Sequence, residues 1–128
     1  MDIEELAPYG RYYRREDEGF PFWWLDLQKD TVCSYEDLLQ MFGYSNEEEI
    51  LSSDNFIPLF RTDIEEVEKE FLLTRGLKIE TDGDFDIEFR IYIERNHLET
   101  AWYEFESSRL RKDAAEWCRK NHIRVQNR

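Results

Sequence analysis

Phe85-Asp86-Ile87-Glu88-Phe89-Arg90-Ile91-Tyr92-Ile93 is the stretch on which the fold turns, because it satisfies two periods at once. Phe85, Ile87, Phe89, Ile91 and Ile93 alternate with Asp86, Glu88, Arg90 and Tyr92, which is the period of a half-buried strand. Phe85, Phe89, Tyr92 and Ile93 also stand at i, i+4, i+7 and i+8, the stripe of an amphipathic helix. Pattern alone favours the strand. The choice decides whether the middle of the chain joins a sheet or packs helix against helix.

Downstream the signal is helical. Trp102, Phe105, Leu110, Ala114, Trp117 and Cys118 line one side of a long helix predicted over Glu99–Lys120. Glu116 precedes Lys120 by four residues, and cations gather at the C-terminal end, as the helix dipole favours. Asn121 is predicted as its left-handed cap, with a short extended piece over residues 123–125.

Upstream, Thr62-Asp63-Ile64-Glu65 reads as a capping box opening a helix that carries Ile64, Val67, Phe71 and Leu72 on one face and ends at Arg75-Gly76. Glu65 and Lys69 are predicted to pair on the opposite side. Phe56-Ile57-Pro58-Leu59-Phe60 is extended and apolar, and its proline places it at an edge or in a connection. Ser34-Tyr35-Glu36-Asp37 caps a helix through Leu38, Leu39 and Phe42 that stops at Gly43, and Ser45-Asn46-Glu47-Glu48 repeats the signal before Ile50-Leu51. The strongest β signal is Phe20-Pro21-Phe22-Trp23-Trp24-Leu25-Asp26-Leu27. A turn at Gln28-Lys29-Asp30 and a return strand at Thr31-Val32-Cys33 complete a hairpin. Ile3 to Leu6 forms a short helix ahead of Pro8, and residues 9–19 read as an exposed connection rich in tyrosine and charge.

The 128 residues suit one domain, and 41% hydrophobic with 16% aromatic residues is too much for a disordered acidic chain. The fold class expected is α+β: a mostly helical single domain, residues 1–128, with an N-terminal β-hairpin and a long C-terminal helix. The formal charge is −13, unevenly placed. Residues 107–128 carry seven Lys and Arg against two acids, and the remainder carries ten against 28. Such a field opposes binding of phosphates or anionic membranes by the body of the molecule, so nucleic acid is disfavoured there and no membrane partner is expected. Cys33 and Cys118, with no C-x-x-C, read as thiols in a reducing compartment. Met-Asp-Ile-Glu-Glu lacks the features of a signal peptide, and the cytoplasm is expected.

Trp102-Tyr103-Glu104-Phe105, Arg109-Leu110, Ala114-Ala115-Glu116-Trp117-Cys118, Asn121 and Ile123 together resemble the C-terminal signature of a bacterial uncharacterised protein family, the one catalogued in the UPF series under the number 0158. Phe56-Ile57-Pro58-Leu59, the helix with Phe71, and Trp24-Leu25-Asp26-Leu27 with Val32 resemble its middle and its hairpin. Two departures stand out. The family usually has a glycine where Lys29-Asp30 stands here, and a basic segment with Gly and Phe where Asp84, Asp86 and Glu88 stand. The resemblance implies an α+β fold with a long last helix and moves residues 85–94 from strand to helix. It brings no activity and no catalytic residues.

Catalytic chemistry finds little support. Asp82-Gly83-Asp84-Phe85-Asp86-Ile87-Glu88 alternates acids, but a calcium loop starting at Asp82 would put Ile87 where glycine turns it and Ile93 where glutamate closes it. His97 and His122 have no carboxylate at triad or ligand spacing and read as capping or surface residues. No catalytic residue, cofactor or metal ligand is assigned. The leading expectation is a non-enzymatic module that binds a protein partner with a basic surface, through the acids Glu65, Glu66, Glu68 and Glu70 and the acids Asp82, Asp84, Asp86 and Glu88. The alternatives are a metal-dependent hydrolase using Asp82, Asp84, Asp86 and Glu88, or nucleic-acid binding through Arg109, Arg111, Lys112, Arg119, Lys120 and Arg124.

Overall fold

The structure, a computed structural model, describes residues 1–13, 22–80 and 83–125. Its first half runs α1 (Ile3–Leu6), a 3-10 turn (Ala7–Gly10), β1 (Arg11–Tyr12), β2 (Trp23–Asp26), β3 (Thr31–Ser34), α2 (Tyr35–Gln40), α3 (Glu47–Ser52) and β4 (Phe56–Pro58). The second half runs β5 (Thr62–Asp63), α4 (Ile64–Thr74), α5 (Phe85–Arg95) and α6 (Glu99–Lys120). Strands β3, β2 and β4 form an antiparallel sheet in that order, and β1 pairs with β5 in parallel. This is the expected α+β class.

β2 is covered on both faces, as alternation of its large side chains requires. Trp24 packs with Leu38, Ile50 and Phe56 beneath α2 and α3, while Leu25 joins Leu6, Leu59, Ile64, Leu110, Ala114 and Cys118 on the other side. Asp26, 3% exposed, ends the strand and accepts hydrogen bonds from the Gln28 and Lys29 amides and from Asn55 Nδ2 at 3.0–3.1 Å. Those three donors hold the hairpin turn without a cation. The turn has no glycine, and Asp30 itself takes the left-handed conformation at φ 54°, which a short polar side chain tolerates. Pro58 sits on edge strand β4, where its missing N–H breaks no ladder.

Several expectations change. Residues 85–95 form the helix to which the resemblance moved 85–94, not the strand that the alternating pattern favoured: Phe89 and Ile93 are buried while Ile87 is 54% exposed. Once these residues pack on α4 and α6, only one side needs to be apolar, and the i, i+4 stripe supplies it. Asp63, not Thr62, caps α4, accepting from the Glu65 and Glu66 amides. Thr62 is buried and donates its hydroxyl to Asp113 at 2.8 Å. α2 ends at Gln40, short of Phe42. Lys69 lies over the Phe85 ring at 5.4 Å instead of pairing with Glu65. Residues 11–12 of the expected connection form β1, and residues 14–19, with Phe20 and Pro21, lie outside the described residues.

The left-handed residue after α6 is His122 (φ 57°), not Asn121, and His97 (φ 54°) does the same after α5. In each case the next residue closes the end with a six-to-one bond, Leu98 N–H to Ile93 O and Ile123 N–H to Cys118 O. Gly76 and Leu77 close α4 in the same way. The two histidines are therefore helix stops.

Gly10 lies against the Phe60 ring so closely that an added Cβ would overlap it. Gly10→Ala is expected to lower stability by about 1–3 kcal/mol through this overpacking, measured by urea denaturation, with a smaller loss in Gly10→Ala/Phe60→Leu. An unchanged midpoint in the single variant would mean that the ring is free to move.

Candidate functional site

The acids on α4 and α5 do not share one outward face. Helical phase explains the split: Glu68 is four residues from both Ile64 and Leu72, and Asp86 is three from Phe89, so both fall on the apolar stripe. Glu68 is 3% exposed and Asp86 7% exposed. Glu65 is half-buried, and Glu66 and Glu88 are exposed. Glu70 forms an ion pair with Arg109 of α6, and Asp84 caps α5 by accepting from the Asp86 amide. Asp82 lies outside the described residues. The acids expected to act as one array thus do three different things.

Glu68 and Asp86 meet across the α4–α5 contact and share a hydrogen bond, so one of the two carboxyls carries a proton. Burial first, then the bond to Asp86 and its charge, push Glu68 up to about 9. Arg90 pairs with Asp86 at 3.2 Å one helical turn on, so the cation of this cluster lies on the Asp86 side and the raised carboxyl is that of Glu68. The other oxygen of the pair, Glu68 Oε1, has no hydrogen-bond partner among the described residues.

The two carboxyls line a cavity of about 200 Å³ between β1, α4, α5 and α6. Phe89 and Trp102 meet edge to face at 4.8 Å in its wall. At its β1 side, Arg11 donates to the Tyr13 hydroxyl at 3.1 Å and pairs with Glu106 at 3.1 Å. Burial raises the Glu106 carboxyl, and Arg11 opposes that shift. Tyr13 is likewise raised by burial, against the pull of Arg11. The pair itself escaped sequence reading. The signal was present, since an acid four residues from apolar positions on both sides lies on the buried face.

The uncompensated acids are elsewhere. Residues 30–60 hold seven Asp and Glu and no Lys, Arg or His. Glu36, Asp37, Glu48, Glu49 and Asp54 are exposed there, and none has a cationic partner among the described residues. Their helix-capping places explain why they stand where they do: Glu36 and Asp37 open α2 behind Ser34, and Glu47, Glu48 and Glu49 open α3 behind Asn46. Met41 (77% exposed), Phe42 (43%) and Leu51 (49%) stand on the same two-helix segment.

The basic helix end is partly neutralised from within. Arg109 binds Glu70 and Asp113, and Arg111 reaches Glu4 at 3.8 Å. Lys112, Arg119, Lys120 and Arg124 are exposed. Asp84, Asp86 and Glu88 diverge, and among the described residues no three carboxylate, imidazole or thiol side chains converge as a metal-ligand group. Burial and the nearby Asp26 and Asp37 charges push the Cys33 thiol up to about 11, so it is not a ready nucleophile.

Comparison of the chain with protein-family models, curated proteins and solved structures yields no match. What the site does must be read from its own residues, and Glu68 makes a direct prediction. The folded chain holds a proton on Glu68 from the ordinary carboxylate range up to about 9, whereas the unfolded chain does not. Stability from this group is therefore present at low pH and lost as pH rises towards about 9. Glu68→Gln, which keeps the shape and cannot ionise, is expected to flatten the fall in Tm between about pH 5 and pH 9. Thermal melts across that range check it; parallel curves for the two chains would place the proton elsewhere.

Proposed function

We propose that this chain is a non-enzymatic, cytoplasmic protein-binding module whose α2–α3 face receives a partner with a basic surface. One observation carries the reading: seven acids and no cation over residues 30–60, beside exposed Met41, Phe42 and Leu51. Elsewhere in the chain Glu4, Glu70, Asp86, Glu106 and Asp113 are matched from within by arginines. Solubility alone asks for net charge, not for one segment without a single cation. Exposed acids and exposed apolar side chains on one two-helix segment instead suit a partner that presents both cations and apolar groups, because the acids steer the encounter and the apolar groups supply desolvation. Of the acids first expected to form the surface, exposed Glu66 and Glu88 add to the long-range field, while buried Glu68 and Asp86 do not face a partner. The family resemblance belongs to the same proposal and lends it no activity. Among the described residues no helix is long and apolar enough to cross a membrane, in keeping with a partner met in water.

The test uses a partner isolated by affinity capture at low salt and then purified. Its association rate with the chain is expected to fall by about tenfold or more between low and physiological salt, as electrostatic steering requires. Glu36→Gln/Glu47→Gln/Glu48→Gln should lower that rate at low salt, and Met41→Ser should shorten the complex lifetime. Glu49 is left in place because it accepts from the Ser45 amide. A partner held equally well at high salt, or indifferent to both variants, would end the proposal.

A further inference from the structure

The cavity between β1, α4, α5 and α6 is remote from the docking argument and carries its own. Its lining combines Tyr13, Phe89 and Trp102 with the carboxyls of Glu68 and Asp86. Glu94 and Glu99 also line it, and both are exposed. The cations that border it are already engaged, Arg90 with Asp86 at 3.2 Å and Arg11 with Glu106 at 3.1 Å. Glu68 Oε1, on a residue 3% exposed, is an acceptor with no donor among the described residues. A buried acceptor left so is unfavourable unless something else supplies the hydrogen.

We propose that this cavity binds a small organic cation, an amine or guanidine on a short hydrocarbon body, which donates to Glu68 and rests its charge against the rings of Trp102 and Phe89. The surroundings select that chemistry. Carboxyls outnumber arginines along the lining, so an anion would meet repulsion without a free guanidinium to hold it. A bare metal ion would want several oxygen ligands, and the described residues offer no such group. Aromatic walls favour a polarisable cation with apolar edges.

Binding exchanges one cation for one proton. Glu68 carries the proton while the site is unliganded, its carboxyl pushed up to about 9 by burial and by Asp86. When the ligand arrives, the Glu68 O–H bond and its hydrogen bond to Asp86 break, the proton leaves to solvent, and an N–H···O⁻ bond from the ligand to Glu68 replaces them. The charge at Glu68 is thereby unchanged, and a second cationic end on the ligand adds one positive charge beyond it. The charged and titratable groups around Glu68 are Asp86, Arg90 and Glu94 on α5, Glu65 on its own helix, Glu99 on α6, and Arg11 and Tyr13 beside β1. Glu68 is the member that receives the cation, because its Oε1 has no donor among the described residues while Asp86 is paired with Arg90 at 3.2 Å.

The test is titration calorimetry of the full chain with agmatine, which has a guanidinium at one end and an ammonium at the other. Runs in two buffers of different ionisation enthalpy count protons. Saturable binding with about one proton released is expected, with affinity rising about tenfold per pH unit between about 6.5 and 8.5. Glu68→Gln should weaken binding by about tenfold or more, and Trp102→Leu should weaken it as well. The proton count needs no variant, so it stands even if one fails to fold. Glu36→Gln/Glu47→Gln/Glu48→Gln should bind as the unaltered chain does, which separates this site from the docking face. No binding, binding without proton release, full affinity in Glu68→Gln, loss of affinity in the α3-face variant, or preference for inorganic phosphate would each overturn the proposal.

Discussion

The packing of α6 along its whole length is the constraint on which the molecule depends. A helix of 22 residues spans roughly 33 Å, more than the breadth of one small apolar cluster. Its first half places Trp102 and Phe105 against Phe71 and Phe89, with ring centroids 4.8–5.5 Å apart for the contacts of Trp102 and Phe105. Its second half places Leu110, Ala114 and Cys118 against Leu6, Leu25, Leu59 and Ile64. Trp102 belongs to the periphery of both clusters. Polar contacts fix the register between them: Trp117 Nε1 donates to Pro58 O at 3.1 Å, and Thr62 donates to Asp113 at 2.8 Å. Without α6 the sheet and the α4–α5 pair would have no common partner, and the cavity between β1, α4 and α5 would lose its Trp102 wall.

Charge distribution follows from where that helix leaves room. An acid at a helix start is stabilised by free amides whether or not a cation is near, which is why α2 and α3 tolerate their unmatched acids. An acid on a buried stripe has no such freedom and must find donors, a cation or a proton. Asp26 finds three donors, Asp86 finds Arg90, and Glu68 keeps its proton. Buried carboxyls thus take three states in one small fold, set by the donors and cations within reach of each.

Legibility in the sequence divides along the same line. The span of α6, the hairpin, the cap at Ser34 and the stop at Gly76 were readable because each depends on local spacing and a few chemically specific residues, while the cap of α3 falls one residue past the Ser45 of its box, at Asn46. Residues 85–93 were not readable from pattern, since five alternating apolar residues fit a strand and only the partners α4 and α6 decide otherwise. His97 and His122 were readable as capping or surface residues, but not as the left-handed residues themselves, a place expected of Asn121 after α6, because a left-handed histidine carries no compositional mark, unlike glycine. The α4 and α5 acids were counted by density rather than by phase. Phase separates inward Glu68 and Asp86 from outward Glu66 and Glu88 without any coordinates.

A chain with 30 acids and 17 Lys and Arg cannot neutralise everything, so where its guanidiniums go is a choice written in the fold. Arg11, Arg90 and Arg109 go to Glu106, Asp86 and Glu70 around the helical half, where half-buried or buried carboxylates interact strongly because less water screens them. Among the described residues no side-chain cation pairs with the acids of residues 30–60, where Asp30 meets the N-terminal ammonium at 3.2 Å and screening by solvent keeps the cost of the remaining unmatched charge low. The same rule therefore builds both proposed sites. Low screening inside demands matched charge down to the single proton on Glu68, and high screening outside permits a face whose field is satisfied only by another molecule.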